Sequence, residues 1–212
     1  MEIKNKKINF LGDSITEGVG VSASEYKYVN VFARKFEPAV VRNYGISGTR
    51  FARQHTPYVS NPRFDLDFCS RVSEMDADAD VVVVFGGTND FGHGDAPFGS
   101  PEDRTKDTFI GACHELMSSL IERYPTATIV FMTPLHRAVE EQPGKEPLSR
   151  YVATIREVAE IYSIPVLDLY ATAGIQPQLR VQRHAYAPDG LHPNNAGAER
   201  LADKLGQFLL GL

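Results

Sequence analysis

Three side chains of this sequence together have the chemistry of acyl transfer. Ser14 stands in "GDSITEG", residues 12–18, directly after the apolar run Ile8–Leu11, where only Asn9 is polar. A serine hydroxyl is a weak nucleophile and needs a base within hydrogen-bond reach. His192, in "DGLHP", can be that base. Asp189 lies three residues earlier, close enough on one turn to fix the imidazole tautomer and steady the imidazolium. An attacked carbonyl becomes an oxyanion that needs donors. The backbone N–H groups of Ser14 and Gly48 and the side-chain amide of Asn89 can supply them. Gly45 competes with Gly48 for the glycine role.

These residues are useful only if distant parts of the chain bring them together. Five short β-branched segments read as strands: Lys7–Leu11, Ala39–Tyr44, Asp80–Phe85, Thr128–Thr133 and Ile164–Leu169. Helical spacing separates them over Glu25–Phe36, Thr105–Tyr124, Ser149–Tyr162 and Asn194–Leu210, with a further short helix expected within Phe64–Met75. Pro193 suits the first turn of the last helix. Alternation of this kind implies an α/β fold with a parallel sheet, the first strand at its centre. Ligands of open α/β sheets bind outside the carboxyl ends of the strands. "GDS", "NYGISGT" and "GGTND" directly follow strands one, two and three, and the chain after strand five runs on to "DGLHP". All four therefore map to one sheet edge.

With these residues in view, the chain resembles the SGNH hydrolases, also called GDSL-type esterases. That family has four ordered blocks, which read here "GDSITEG", "NYGISG", "GGTND" and "DGLHP" and span residues 12–193. The resemblance implies a three-layer α/β/α flavodoxin-like sandwich with a central five-stranded parallel sheet. It implies ester hydrolysis without a metal or cofactor. It also implies Ser14 as nucleophile, His192 as base, Asp189 as its partner, and Ser14, Gly48 and Asn89 as the oxyanion hole. The order Ser, Asp, His is that of other α/β hydrolases, although Ser14 lacks their Gly-x-Ser-x-Gly elbow. Arg50, Phe91 and His93 follow the oxyanion residues and are expected to line the substrate pocket.

Composition narrows the partners. At 212 residues and 42% apolar content, the chain fits a single domain, residues 1–212, with a full core. A net charge of −5 is not the basic footprint that nucleic acid demands. The longest purely apolar run, Val81–Phe85, is too short to span a membrane, and no signal segment stands at the N-terminus. Cys69 and Cys113 match no metal spacing and read as reduced, packed thiols, so a cytoplasmic location is expected. Gly18, Gly20 and Ala23 fit G-x-G-x-x-A but begin too far from the strand to form a dinucleotide turn. The "DADAD" run has Val81 and Gly87 where a calcium loop needs Gly and Glu.

The loops Gly92–Pro101 and Gln142–Pro147 carry Gly, Pro and charge, with Phe98 the only large apolar residue. They are poorly suited to an apolar lid. Arg50, His93 and His136 suit hydroxyl-rich groups. The expected substrate is a small-molecule or carbohydrate ester with a short acyl group such as acetyl. The alternatives are a lysophospholipase or thioesterase acting on longer chains, and a carbohydrate-binding relative without turnover.

Overall fold

The computed structural model describes residues 1–212. Five strands, β1 (Lys7–Gly12), β2 (Val40–Gly45), β3 (Val81–Phe85), β4 (Thr128–Met132) and β5 (Val166–Leu167), form one parallel sheet in the order β2-β1-β3-β4-β5. The centre is therefore β3 rather than β1. Its five residues are all buried, as a strand covered on both faces requires. The helices are α1 (Ser14–Glu17), α2 (Tyr28–Phe36), α3 (Phe68–Arg71), α4 (Thr88–Gly92), α5 (Phe109–Arg123), α6 (Leu148–Ile161), α7 (Leu169–Thr172), α8 (Arg180–Tyr186) and α9 (Asn195–Leu210).

Strand alternation assigns the two faces. Val81, Val83 and Phe85 join Ile8, Phe10, Phe32 of α2 and Leu205 of α9 in one core. Val82 and Val84 face the other way, with Leu11, Leu116 of α5 and Ile155 of α6. The result is a three-layer α/β/α sandwich. Burying each such aliphatic or aromatic side chain contributes about 1.5–3 kcal/mol. Asn9, the polar residue in the first apolar run, is fully buried and stays satisfied. Its amide donates to the Asp76 carbonyl at 2.8 Å and its oxygen accepts from Arg42.

Capping explains where elements depart from their sequence reading. Thr108 accepts from Gly111 N, so α5 starts four residues later than the Thr105 expected. Asn194 accepts from Gly197 N, which leaves Pro193 outside α9 rather than in its first turn. Asp168 caps α7 and ends β5 before Leu169. The expected Phe64–Met75 helix is broken into a turn at Pro62–Asp65, the short α3 capped by Asp67, and a turn at Val72–Glu74. The Glu25–Phe36 segment likewise divides into a turn at Ser24–Tyr26 and α2. Cys69 and Cys113 are free and buried. No helix is long and apolar enough to cross a membrane.

Candidate active site

β1 ends at Gly12, and the chain turns at once into α1. That turn is tight enough that a Cβ on Gly12 would lie 2.0 Å from Thr16 Oγ1. Asp13 caps α1 by accepting from Ile15 N at 3.0 Å. The cap places Ser14 as the first helical residue, 6% exposed, at the carboxyl edge of the sheet. Two contacts hold α1 from behind. Thr16 Oγ1 lies 3.1 Å from the Tyr28 hydroxyl, and Asn43 Nδ2 donates to the Thr16 carbonyl at 2.7 Å.

From the other end of the chain, His192 meets Ser14. Its Nε2 lies 3.0 Å from Ser14 Oγ, and its Nδ1 lies 2.6 Å from Asp189 Oδ2. The second oxygen of Asp189 accepts the backbone N–H groups of Leu191 at 2.9 Å and His192 at 2.7 Å. Partial burial pushes the Asp189 carboxyl upward, but its hydrogen bonds with His192 and Leu191 outweigh this and hold it below the usual range. The carboxylate therefore favours the tautomer with the proton on Nδ1. That leaves Nε2 as an acceptor facing the Ser14 hydroxyl.

The loops after β2 and β3 close the site. Gly48 is buried at φ +76, a left-handed conformation that favours glycine, and the Phe64 ring occupies the space a Cβ would need. The two candidate glycines differ in their N–H groups. Gly45 donates to Asn43 Oδ1 at 2.8 Å, whereas the N–H groups of Gly48 and Ser14 find no acceptor in the chain. Asn89, the second residue of α4, donates one amide hydrogen to the Thr49 carbonyl at 2.9 Å and keeps the other. The arrangement thus offers two unspent backbone donors and one amide donor on loops that flank a serine–imidazole pair.

Beneath these loops lie residues that the sequence reading did not single out. Arg71 donates to Gly12 O, Thr49 Oγ1 and Tyr44 O, which ties the ends of β1 and β2 to the Gly48 loop. Burial lowers its guanidinium to about 10, still charged at neutral pH. Asp90 accepts from Phe51 N at 3.0 Å and Ala52 N at 2.9 Å. Burial raises its carboxyl to about 6. Burial also raises Asp13, to about 7, with the nearby Asp90 charge adding to the effect. Arg137 donates to Thr88 O at 3.0 Å, beside Asn89. The signal these residues leave in sequence is weak, because most of their partners are backbone groups of distant loops.

The expected pocket residues are placed differently from one another. Phe91 is 0% exposed, packed edge-on against Tyr151, so it belongs to the core and does not line a pocket. Arg50 is 2% exposed and serves as a brace. Its guanidinium donates to Gly48 O at 3.0 Å and Phe64 O at 2.5 Å, and Nη1 lies 3.2 Å from His93 Nδ1. His93 keeps an exposed edge. Desolvation of its inner edge, then the charges of Arg50, Lys145 and Arg137, push its imidazole down to about 4, so it is neutral near pH 7. His136 is held by Glu140, 2.7 Å from Nδ1, against the Tyr170 ring. No group of three His, Cys, Asp or Glu side chains is placed to hold a metal ion.

The profile of the GDSL-like Lipase/Acylhydrolase family matches residues 10–200. No curated protein matches the sequence significantly. One crystal structure, 33% identical, superposes with a TM-score of 0.87 over 100% of this chain and 99% of its own. A protein from Lactobacillus plantarum is 30% identical with a TM-score of 0.86, covering 99% of this chain and 98% of that one. The lipase/acylhydrolase from Enterococcus faecalis shares the fold at 22% identity and a TM-score of 0.67, covering 97% and 96%. The chain belongs to the GDSL-like lipase/acylhydrolase family.

Proposed function

We propose that this protein is a serine esterase that hydrolyses carboxylic esters through an acyl-Ser14 intermediate. One observation carries the reading: Ser14 Oγ, the His192 imidazole and the Asp189 carboxylate lie on one hydrogen-bonded line, with steps of 3.0 and 2.6 Å. In the first half-reaction, His192 Nε2 takes the hydroxyl proton as Ser14 Oγ bonds to the ester carbonyl carbon. The oxyanion accepts from Ser14 N, Gly48 N and Asn89 Nδ2. Collapse expels the alcohol, which takes the proton from His192. In the second half-reaction, water attacks the acyl-enzyme, giving its proton to His192, and the acid leaves as Ser14 is regenerated. No step needs a metal or cofactor. Residues 1–212 act as one domain, and the two unpaired buried thiols suit a reducing, cytoplasmic setting.

The substrate is a short acyl ester of a polar carrier, such as a sugar. The loops that would form a lipase lid are latched together instead. Lys145 Nζ donates to Gly94 O at 2.6 Å and Phe91 O at 3.1 Å, and Gln142 Nε2 donates to Gly92 O at 3.0 Å. The cleft between these loops, about 460 Å³, is lined by Asp95, Lys145 and Glu146 as well as Ala96, Pro97, Phe98 and Tyr151, a mixed rather than an apolar wall. A long acyl chain gains about 0.8 kcal/mol per buried CH₂ only against an apolar wall. The test is a 4-nitrophenyl ester series from acetate to palmitate. Acetate or butyrate should lead decanoate by about tenfold or more in kcat/KM, the equivalent of about 1.4 kcal/mol. A preference for decanoate or palmitate replaces this reading with a long-chain acyl hydrolase.

A further inference from the structure

Arg137 is held in an unusual way for a guanidinium that has no carboxylate within ion-pair distance. Nη1 spends its hydrogens on Thr88 O at 3.0 Å and Thr88 Oγ1 at 3.2 Å, and the guanidinium carbon sits 5.2 Å over the Phe91 ring. Nε and Nη2 donate to nothing in the chain, yet neither is sealed from solvent. These two nitrogens share one edge of the guanidinium plane. That edge is a two-pronged fork matched to the two oxygens of a carboxylate or phosphate.

The position of the fork relates it to the site. Thr88, which holds Nη1, immediately precedes Asn89. On the other side, the N–H of Ala138, the next residue, donates to Gly190 O at 2.8 Å, two residues before His192. The Arg137–Ala138 segment therefore bridges the Asn89 loop and the His192 loop. The nearby carboxylate of Glu140 is already engaged, by His136 Nδ1, Arg137 N and the Tyr170 hydroxyl. Lys145 and Arg50 also lie near His93, but each faces carboxylates of its own, Asp90 and Asp95 for Lys145 and Asp65, at 3.7 Å, for Arg50, which leaves the Arg137 fork as the uncommitted cation of the three.

We infer that Arg137 is a specificity-determining residue, which binds an anionic group, carboxylate or phosphate, carried on the alcohol portion of the ester. The inference rests on the esterase reading for its substrate and deepens it. Three esters of similar size test it: 4-acetoxybenzoate, 4-acetoxyphenyl phosphate and the neutral methyl 4-acetoxybenzoate. The wild-type protein should favour at least one anionic ester over the neutral one by about tenfold or more in kcat/KM, as two charge-assisted hydrogen bonds allow. The anionic ester it prefers identifies the carboxylate or the phosphate. In Arg137→Gln the ratio of anionic to neutral kcat/KM should fall to near one. Any disturbance passed through Thr88 to Asn89 affects all three esters and cancels in that ratio. A wild-type ratio of one or below, or a ratio unchanged in Arg137→Gln, overturns the inference. A protein that hydrolyses none of the three, nor 4-nitrophenyl acetate, overturns the esterase reading instead. In that case, binding of 4-hydroxybenzoate and inorganic phosphate, measured by calorimetry, decides the fork alone. At least one should bind the wild type about tenfold more tightly than Arg137→Gln, and equal or absent binding overturns the inference.

Discussion

Gly20 is packed against His192 so closely that a Cβ on the glycine would lie 2.9 Å from the His192 Cβ and 2.6 Å from the Pro193 carbonyl oxygen. Gly20 also holds φ +98, a conformation that costs a residue with a side chain about 1–3 kcal/mol. The loop after α1 thus forms one wall for the histidine that Ser14 meets. Gly20→Ala should push His192 outward and lengthen its contact with Ser14. Misplacement by about 1 Å costs on the order of a hundredfold in rate. The expected result is a drop in kcat well beyond the modest loss in Tm, measured on a 4-nitrophenyl ester and by thermal unfolding. A variant with full activity would show that this wall does not set the histidine.

Asp13 gives stability a dependence on pH that can be isolated. Its carboxyl is raised from an ordinary value of 3.8 to about 7, chiefly by burial. A raised folded value means that the folded state holds the proton more tightly than the unfolded chain. The stability this contributes is complete below pH 3.8 and is lost as pH rises through about 7. Asp13→Asn keeps an oxygen to cap Ile15 N but cannot ionise. The variant should therefore gain on the wild type by a few kcal/mol between pH 4 and pH 8, as each tenfold difference in proton affinity between the folded and unfolded chain corresponds to about 1.4 kcal/mol. Denaturant unfolding at the two pH values reads the difference directly. An equal stability difference at both would mean that Asp13 is not desolvated as described.

The polar edge of this protein was legible in sequence because it is built from residues that follow strand ends. Ser14, Gly48 and Asn89 come just after β1, β2 and β3 in stretches of small, turn-favouring residues that sheet topology brings to one edge, whereas His192 reaches them from the loop between α8 and α9. What stayed hidden has a common physical cause. Arg71, Arg137 and Asp90 act mainly on backbone groups of other loops, and a backbone carbonyl or N–H leaves no residue type to read. Phe91 and Arg50 follow the oxyanion residues in sequence just as the pocket reading expected, but the turns of α4 and of the Gly48 loop carry both side chains inward. β5 is shorter than its apolar pattern implies, because Pro165 and the Asp168 cap confine it to two residues.

Asn89 separates a donor to the transition state from a binder of the ground state. Its free amide hydrogen is the one available to an oxyanion, since the other is spent on Thr49 O. Asn89→Ala should lower kcat by about a hundredfold to a thousandfold, with KM within about threefold of wild type. A raised KM with unchanged kcat would make the amide a ground-state contact.

Acylation of Ser14 is tested most directly by a covalent probe. After treatment with a fluorophosphonate, intact-mass and peptide analysis should find one adduct, on Ser14, formed at a rate that falls by about a thousandfold or more in His192→Ala. Ser14→Ala should carry no adduct and keep less than about a thousandth of the wild-type esterase rate. An adduct on another residue, or a Ser14→Ala protein that retains more than about a tenth of the wild-type rate, would contradict the assignment of the nucleophile.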